Sequence, residues 1–286
     1  MDIFFAVLIG LFSAIAYGMA NAFSRTLSQR LGTAQTLFLR GFTVTLVLAL
    51  ISIPYYHDFA DWPVILAALG LGITGYLPLV AFTHAIKESP IGIIAPIAGT
   101  SPLITVILSF TFLNVVLDPA QWVAIVLIIL ASIAVSVDLK NWRQSNFLKI
   151  SSGIPYAAAA ALGWGIFFFL LVLVTRRISP LLAAFLVEVG VTVGAGIHLK
   201  LTSQTVTIGD ALKPAVVKNG ILICLGTLAF TIGVRYFNVG IVAALSNSTA
   251  IVSSLLGVYL FKERLKISER IATGVMITSV AALSLL

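Results

Sequence analysis

The sequence is short of charge. Asp, Glu, Lys and Arg make up only 9% of its 286 residues, against about 25% in a soluble domain. That excludes a globule covered by water. One cysteine, Cys224, lies inside an apolar run, which excludes an intramolecular disulfide and says nothing of compartment. The three histidines have no metal-ligand spacing, and HExxH, GxSxG, P-loop and paired-acid patterns are missing. No catalytic constellation and no cofactor are expected, so the chain is not read as an enzyme. Before the first apolar run, which starts at Ile3, there is no basic segment, and that run is read as a retained span, not as a signal peptide.

What the chain has instead is oil. Apolar residues make up 60% of it, and its mean hydropathy is +1.12. Apolar runs recur along its length, and ~20 helical residues cross a ~30 Å hydrocarbon core. In lipid a segment must satisfy its own backbone, and these runs lack the strict alternation of barrel strands. The fold class is therefore an all-α polytopic membrane protein. Ten spans are expected near residues 3–23, 34–53, 62–84, 91–112, 119–137, 153–174, 180–199, 218–236, 240–261 and 267–286. The net charge of +7 lies in the connections and is read as an orientation signal, with the lipid bilayer as partner and no nucleic acid. The stretch "KLTSQTVTIGDALKPAVVKN" between spans seven and eight is expected to be a surface loop.

The segment 139–149 splits the chain into halves, 1–138 and 150–286, each with five spans. A shift of 148 residues lays "AFTHAIKESPIGIIA" (81–95) on "AFTIGVRYFNVGIVA" (229–243), matching Ala81, Phe82, Thr83 and Gly92. A shift of 147 lays "AYG" (16–18) on "GWG" (163–165). Both point to an internal duplication. With an odd number of spans per copy, the second enters the membrane from the opposite side. The result is two inverted five-helix repeats, an arrangement that places a solute site at the midplane and alternates its access.

The shift of 148 also sets Arg40, in "TLFLRGFTV", against Glu188, in "AAFLVEVGV". Intramembrane charges cost ~2.5–3.5 kcal/mol each on insertion scales and mark function by default. Glu188 is either a proton-coupling carboxyl or a standing counter-charge to a cationic solute or to Arg40. For Arg40 the alternatives are a binding role, a structural ion pair, or snorkelling to the interface.

The duplicated layout, "SPLITVILSFTFL" (101–113), "TAIVSSLLGVYLFKERL" (249–265), Glu263 and Gly274 together resemble the drug/metabolite transporter superfamily, specifically its EamA-type members. Arg40 resembles an arginine often found in that family's second helix. Val115 departs from the pattern, since a glutamate is common there. The resemblance covers the whole chain and implies a secondary transporter with a central cavity, working without ATP. It leaves the substrate open.

Broken or polar segments at matched depths point to a transporter's site. "APIAGTSP" (95–102), with Gly99, faces "ALSNSTA" (243–249), with Ser246 and Asn247. The alternative is that such small polar residues hold helices together, which is the preferred reading for Ser248. Tyr17 and Trp164, matched between the copies, join the candidate lining, as do Asn21, Tyr76 and His84. His57 and His198 are read as interfacial.

The expected function is export of small organic metabolites such as amino acids across a cytoplasmic (inner) membrane, by a monomer. A proton-coupled exporter of organic cations is the alternative, although the first helix has no acid after Asp2, where small multidrug-resistance proteins carry their coupling glutamate. A lipid scramblase or intramembrane enzyme is a more distant one. Loops after odd-numbered spans hold thirteen Lys and Arg residues, against Arg176, Arg177 and Arg235 after even-numbered ones. Such a bias puts both termini outside the cytoplasm, whereas EamA-type exporters are usually drawn with both inside.

Overall fold

The computed structural model describes residues 2–55, 61–113, 118–136, 153–237, 239–246 and 248–262, with residues 267, 271, 274–275 and 278–279 beyond them. Every regular element is a helix: α1 (Asp2–Leu31), α2 (Thr33–Ser52), α3 (Trp62–Glu88), α4 (Ile91–Ala98), α5 (Ser101–Leu113), α6 (Pro119–Ser136), α7 (Ile154–Thr175), α8 (Pro180–Leu201), α9 (Ile208–Ala211), α10 (Pro214–Tyr236), α11 (Val239–Ser246) and α12 (Thr249–Phe261). Six helices, α1, α2, α3, α7, α8 and α10, are each long and apolar enough to cross a membrane. Four of them, α3, α7, α8 and α10, carry proline in the first turn. There its missing N–H has no helical partner to lose. Ser179 caps α8, its hydroxyl accepting from the Leu181 amide.

Several expected boundaries move. The first span runs on to Leu31, because its polar last turns still find partners. Ser24 and Asn219 bond each other (3.1 Å), and the Arg25 guanidinium sits 4.5 Å over the Phe261 ring. The eighth span begins at Pro214, and the loop before it contains the single turn α9. There the Thr207 amide donates to the Asp210 carboxylate (3.0 Å) while the Asp210 amide donates to the Thr207 hydroxyl (3.2 Å). This is a reciprocal cap.

The larger correction concerns spans four and nine. Each is two helices, α4 with α5 and α11 with α12, rather than one. At the first break the Thr100 amide turns back to the Ile97 carbonyl (3.1 Å), and Pro102 has no amide with which to continue the ladder. At the second, the Ser248 amide turns back to the Leu245 carbonyl (2.9 Å). α4 and α11 end 148 residues apart, at Ala98 and Ser246, and α5 and α12 begin 148 apart, at Ser101 and Thr249, so the breaks fall at matched places. The connecting segment 139–149, His57, Asn247, Glu263 and Val115 lie outside the described residues, as does most of the tenth span.

The packing repeats as the sequence does. α3 lies on α8 as α10 lies on α2, α1 on α10 as α7 on α3, and α1 on α12 as α7 on α5. α2 and α8 lie on each other, which places the approximate two-fold axis between them. One contact is duplicated in atomic detail. A Cβ added at Gly18 would come 2.5 Å from the Val252 Cβ, and one at Gly165 would come 2.5 Å from the Ile104 Cβ. These two glycines, matched by the shift of 147, each admit a β-branched side chain from the matched helix of the broken pair. Close approach through small residues is how helices associate where lipid supplies no hydrophobic drive.

Candidate functional site

Arg40 on α2 and Glu188 on α8 are both buried, and they meet. The guanidinium Nη2 donates to Oε1 at 3.4 Å and to Oε2 at 3.3 Å. Their helices form the self-paired crossing, so the ion pair sits at the approximate axis. Of the readings open for Glu188, pairing with Arg40 is the one the structure realises. The Thr227 hydroxyl makes a long bond to Glu188 Oε1 (3.5 Å), and the Tyr17 phenol lies 2.9 Å from Thr227 Oγ1. With Thr227 donating to the carboxylate, Tyr17 donates to Thr227. Arg40 Nε is buried with no hydrogen-bond partner among the described residues.

The pair forms part of the wall of a central cavity with about 140 Å³ open to water-sized molecules. Six of the residues expected from sequence line it: Tyr17, Asn21, Arg40, Trp164, Glu188 and Ser246. The Asn21 amide donates to Ser253 Oγ (3.2 Å) on α12, and Ser246 Oγ is buried without a partner among the described residues. A smaller void of about 40 Å³ shares Tyr17 and Glu188 with the cavity. Even that volume is enough for water.

Three expected lining residues lie elsewhere. The Tyr76 phenol is 2.8 Å from His198 Nδ1, and that side chain is spent on fixing α3 to α8. The His84 ring lies edge-on to Tyr156, centroids 4.8 Å apart, on the outer side of α3. Gly99 forms the turn between α4 and α5. His84 shares α3 with cavity residues, but at a helical phase that the 3.6-residue period turns away from the cavity. Tyr76 lies one heptad before Thr83, close to its phase, and its ring is instead laid on α8 beside Gly194 and His198.

Of the aromatic wall the sequence reading named Trp164 and missed the other three. Phe82 packs against Trp164 (centroids 4.9 Å) and Phe230 against Phe168 (4.7 Å), and all four line the cavity. Phe82 and Phe230 are repeat mates in the alignment of 81–95 with 229–243. The signal was present: the aromatic sits in the Ala-Phe-Thr run that both copies share. Trp164 and Phe168 are one turn apart on α7, so a single helix serves both matched phenylalanines. Thr83 and Thr249 add hydroxyls to the wall. Among the described residues no group of three His, Cys, Asp or Glu side chains is placed to hold a metal.

Comparison with known proteins agrees with this architecture. Residues 4–137 and 151–285 each match the family described as "EamA-like transporter family". A crystal structure described only as that of a protein superposes with a TM-score of 0.71 at 20% identity. The superposition covers 98% of this chain and 96% of that one, and at such identity it speaks for the fold alone. No curated protein sequence matches.

Proposed function

We propose, because the chain belongs to the EamA-like transporter family, that it is a secondary active transporter exporting small organic metabolites such as amino acids. It works as a monomer of ten spans in two inverted repeats, in the cytoplasmic (inner) membrane of its cell. The observation that carries this reading is the ion pair between Arg40 and Glu188 in the cavity wall. A bound zwitterion opens that pair and satisfies both halves. Its carboxylate goes to the Arg40 guanidinium, including the unpartnered Nε, and its ammonium goes to Glu188. Charge is balanced both in the empty pair and in the bound state with Glu188 ionised, which matters because an uncompensated buried charge is costly. The aromatic wall covers the apolar part of the solute, and Ser246 and Thr249 supply hydroxyls to its polar part.

Coupling follows from the same pair. Water reaching Glu188 from either side of the membrane delivers a proton, and a protonated Glu188 releases its hold on both Arg40 and the solute ammonium. Rocking of one repeat on the other about the α2–α8 crossing then exchanges the open side. A permanent organic cation fits less well. It would need the carboxylate to itself and would leave Arg40 buried without a counter-charge.

The test is counterflow of radiolabelled amino acids in proteoliposomes. Vesicles holding the purified chain and preloaded with unlabelled alanine should take up labelled alanine faster than protein-free vesicles. Arg40→Met and Glu188→Met should each abolish the difference. Uptake into wild-type vesicles no faster than into protein-free ones, or equal in the wild type and both variants, overturns the proposal. Export of tetraalkylammonium ions without amino-acid counterflow would favour the cation reading instead.

A further inference from the structure

A second, larger space lies outside the central cavity. Between α3 and α7 runs a groove of about 300 Å³, lined by residues such as Leu77, Pro78, Gly163, Ile166 and Leu170. Among the described residues, the only polar side chain lining it is that of Thr74, whose hydroxyl is committed to the Gly70 (3.0 Å) and Leu71 (3.1 Å) carbonyls of its own helix. The groove therefore has no hydrogen bond to give and accepts only apolar matter. Leu77, Ile166 and Leu170, at its mouth, are exposed on helices that cross the membrane, so the mouth opens to lipid.

The groove and the cavity share two lining residues, Gly75 and Phe167. Gly75 has no side chain, and the Cδ2–Cε2 edge of the Phe167 ring fills the place where one would be. A Cβ at Gly75 would come 2.6 Å from ring atoms of Phe167. The partition between the two spaces is thus one aromatic ring set on a glycine. At the equivalent crossing of α10 and α1, Ile223 stands at the position of Gly75, and Gly226, at the position of Pro78, is covered by the Tyr17 ring.

We infer that the groove receives the aliphatic tail of the transported solute, so that substrates are amphipaths. Their zwitterionic head lies in the central cavity, and an unbranched alkyl tail passes Phe167 toward the bilayer. This rests on the transporter reading above and names its substrate class. A bilayer lipid tail can also enter the groove from outside; what favours the solute's own tail is that Gly75 and Phe167 line both spaces, so the groove continues the cavity.

The test uses a 2-amino acid whose long unbranched side chain ends in a photoactivated diazirine. Irradiated with the wild-type chain in proteoliposomes, it should label Leu77, Gly163 and Ile166, and excess alanine should compete the label away. Ile166→Trp fills the groove at its exposed mouth without touching the cavity. It should cut labelling by more than about tenfold, since each buried methylene is worth roughly a factor of four, and it should leave alanine counterflow unchanged. Groove labelling that alanine does not displace means ordinary lipid occupancy and overturns the proposal. Absence of groove labelling alongside normal alanine counterflow overturns it too, and leaves the transporter reading standing. Absence of alanine counterflow in the same vesicles defeats the transporter reading itself.

Discussion

Arg40 and Glu188 occupy equivalent positions in the two repeats, 148 residues apart, and close on each other at 3.3 Å across the approximate two-fold axis. A duplicated chain normally carries the same residue at both equivalents. Two like charges facing each other at an axis would repel, so opposite charges there are the arrangement by which a duplicated helix pair can keep ionised groups on its axis.

The first prediction tests this pairing by stability. Arg40→Met and Glu188→Met each leave one buried charge uncompensated and should lower the chain's stability by about 3–5 kcal/mol. The double variant removes both charges and should recover most of that loss. Thermal unfolding in detergent gives the coupling term directly. Additive losses in the double variant would mean that the two groups stand independently.

Coupling is tested by Glu188→Gln, which keeps the shape and loses the titration. It should abolish accumulation driven by a proton gradient and preserve exchange between preloaded vesicles. Full gradient-driven accumulation by this variant removes Glu188 from the coupling step.

Cavity residues should separate affinity from stability. Trp164→Ala and Asn21→Ala should each weaken solute binding by about tenfold, in the range of one lost hydrogen bond or aromatic contact. Each should shift the melting temperature less than Gly165→Val, which drives a side chain into Ile104 and should cost about 1–3 kcal/mol. Binding left unchanged by Trp164→Ala would make that residue packing.

How much of this was legible in the sequence depended on the signal involved. The apolar runs fixed the helices because in lipid the backbone permits little else. The ion pair was legible because a charge in an apolar run is rare and the repeat gave its partner. The breaks in spans four and nine were half legible. Pro102 and Gly99 announce the first, but the second has no proline and is recognised only by its match. His84 was misplaced because composition locates a residue along a helix, whereas lining a cavity depends on its phase around the helix; Tyr76 was misplaced because its phenol is taken by His198 on α8, a partner the sequence does not reveal. The groove beside Gly75 left no sequence mark beyond the glycine, since it is a property of two helices together.

Outside the membrane, Asp210 gives a prediction in pH. The Lys213 ammonium (2.7 Å) and then the Thr207 hydroxyl and amide hold its carboxyl down to about 2, from an ordinary 3.8. The folded value is depressed, so the stabilisation is complete above pH 3.8 and is lost as pH falls toward about 2. Hydrogen exchange at the amides of Thr207 and Asp210 should accelerate over that window. In Asp210→Asn it should be fast on both sides of it. Exchange that ignores pH across the window would show that the cap does not depend on the charge.

Orientation is the last expectation to be tested, and there the charges and the family's usual depiction disagree. Thirteen of the seventeen Lys and Arg residues lie in or beside loops after odd-numbered spans, counting Arg25, Arg30, Lys87, Lys140, Arg143, Lys149, Lys200, Lys213, Lys218, Lys262, Arg264, Lys266 and Arg270. The structure extends α1 to Leu31 and starts α10 at Pro214, so Arg25, Arg30 and Lys218 lie within helix ends. They remain at the same face, which the positive-inside rule assigns to the cytoplasm. With the ten spans proposed, both termini then lie on the opposite side. Inverted repeats fold equally well either way up, so the packing carries no preference of its own, and the charges are the only physical term that distinguishes the two insertions. A reporter that fluoresces only in the cytoplasm, fused after Leu286, should therefore stay dark, while the same reporter inserted in the segment 139–149 should be bright. A bright fusion at the C-terminus reverses the orientation, and with it the side from which Glu188 takes its proton.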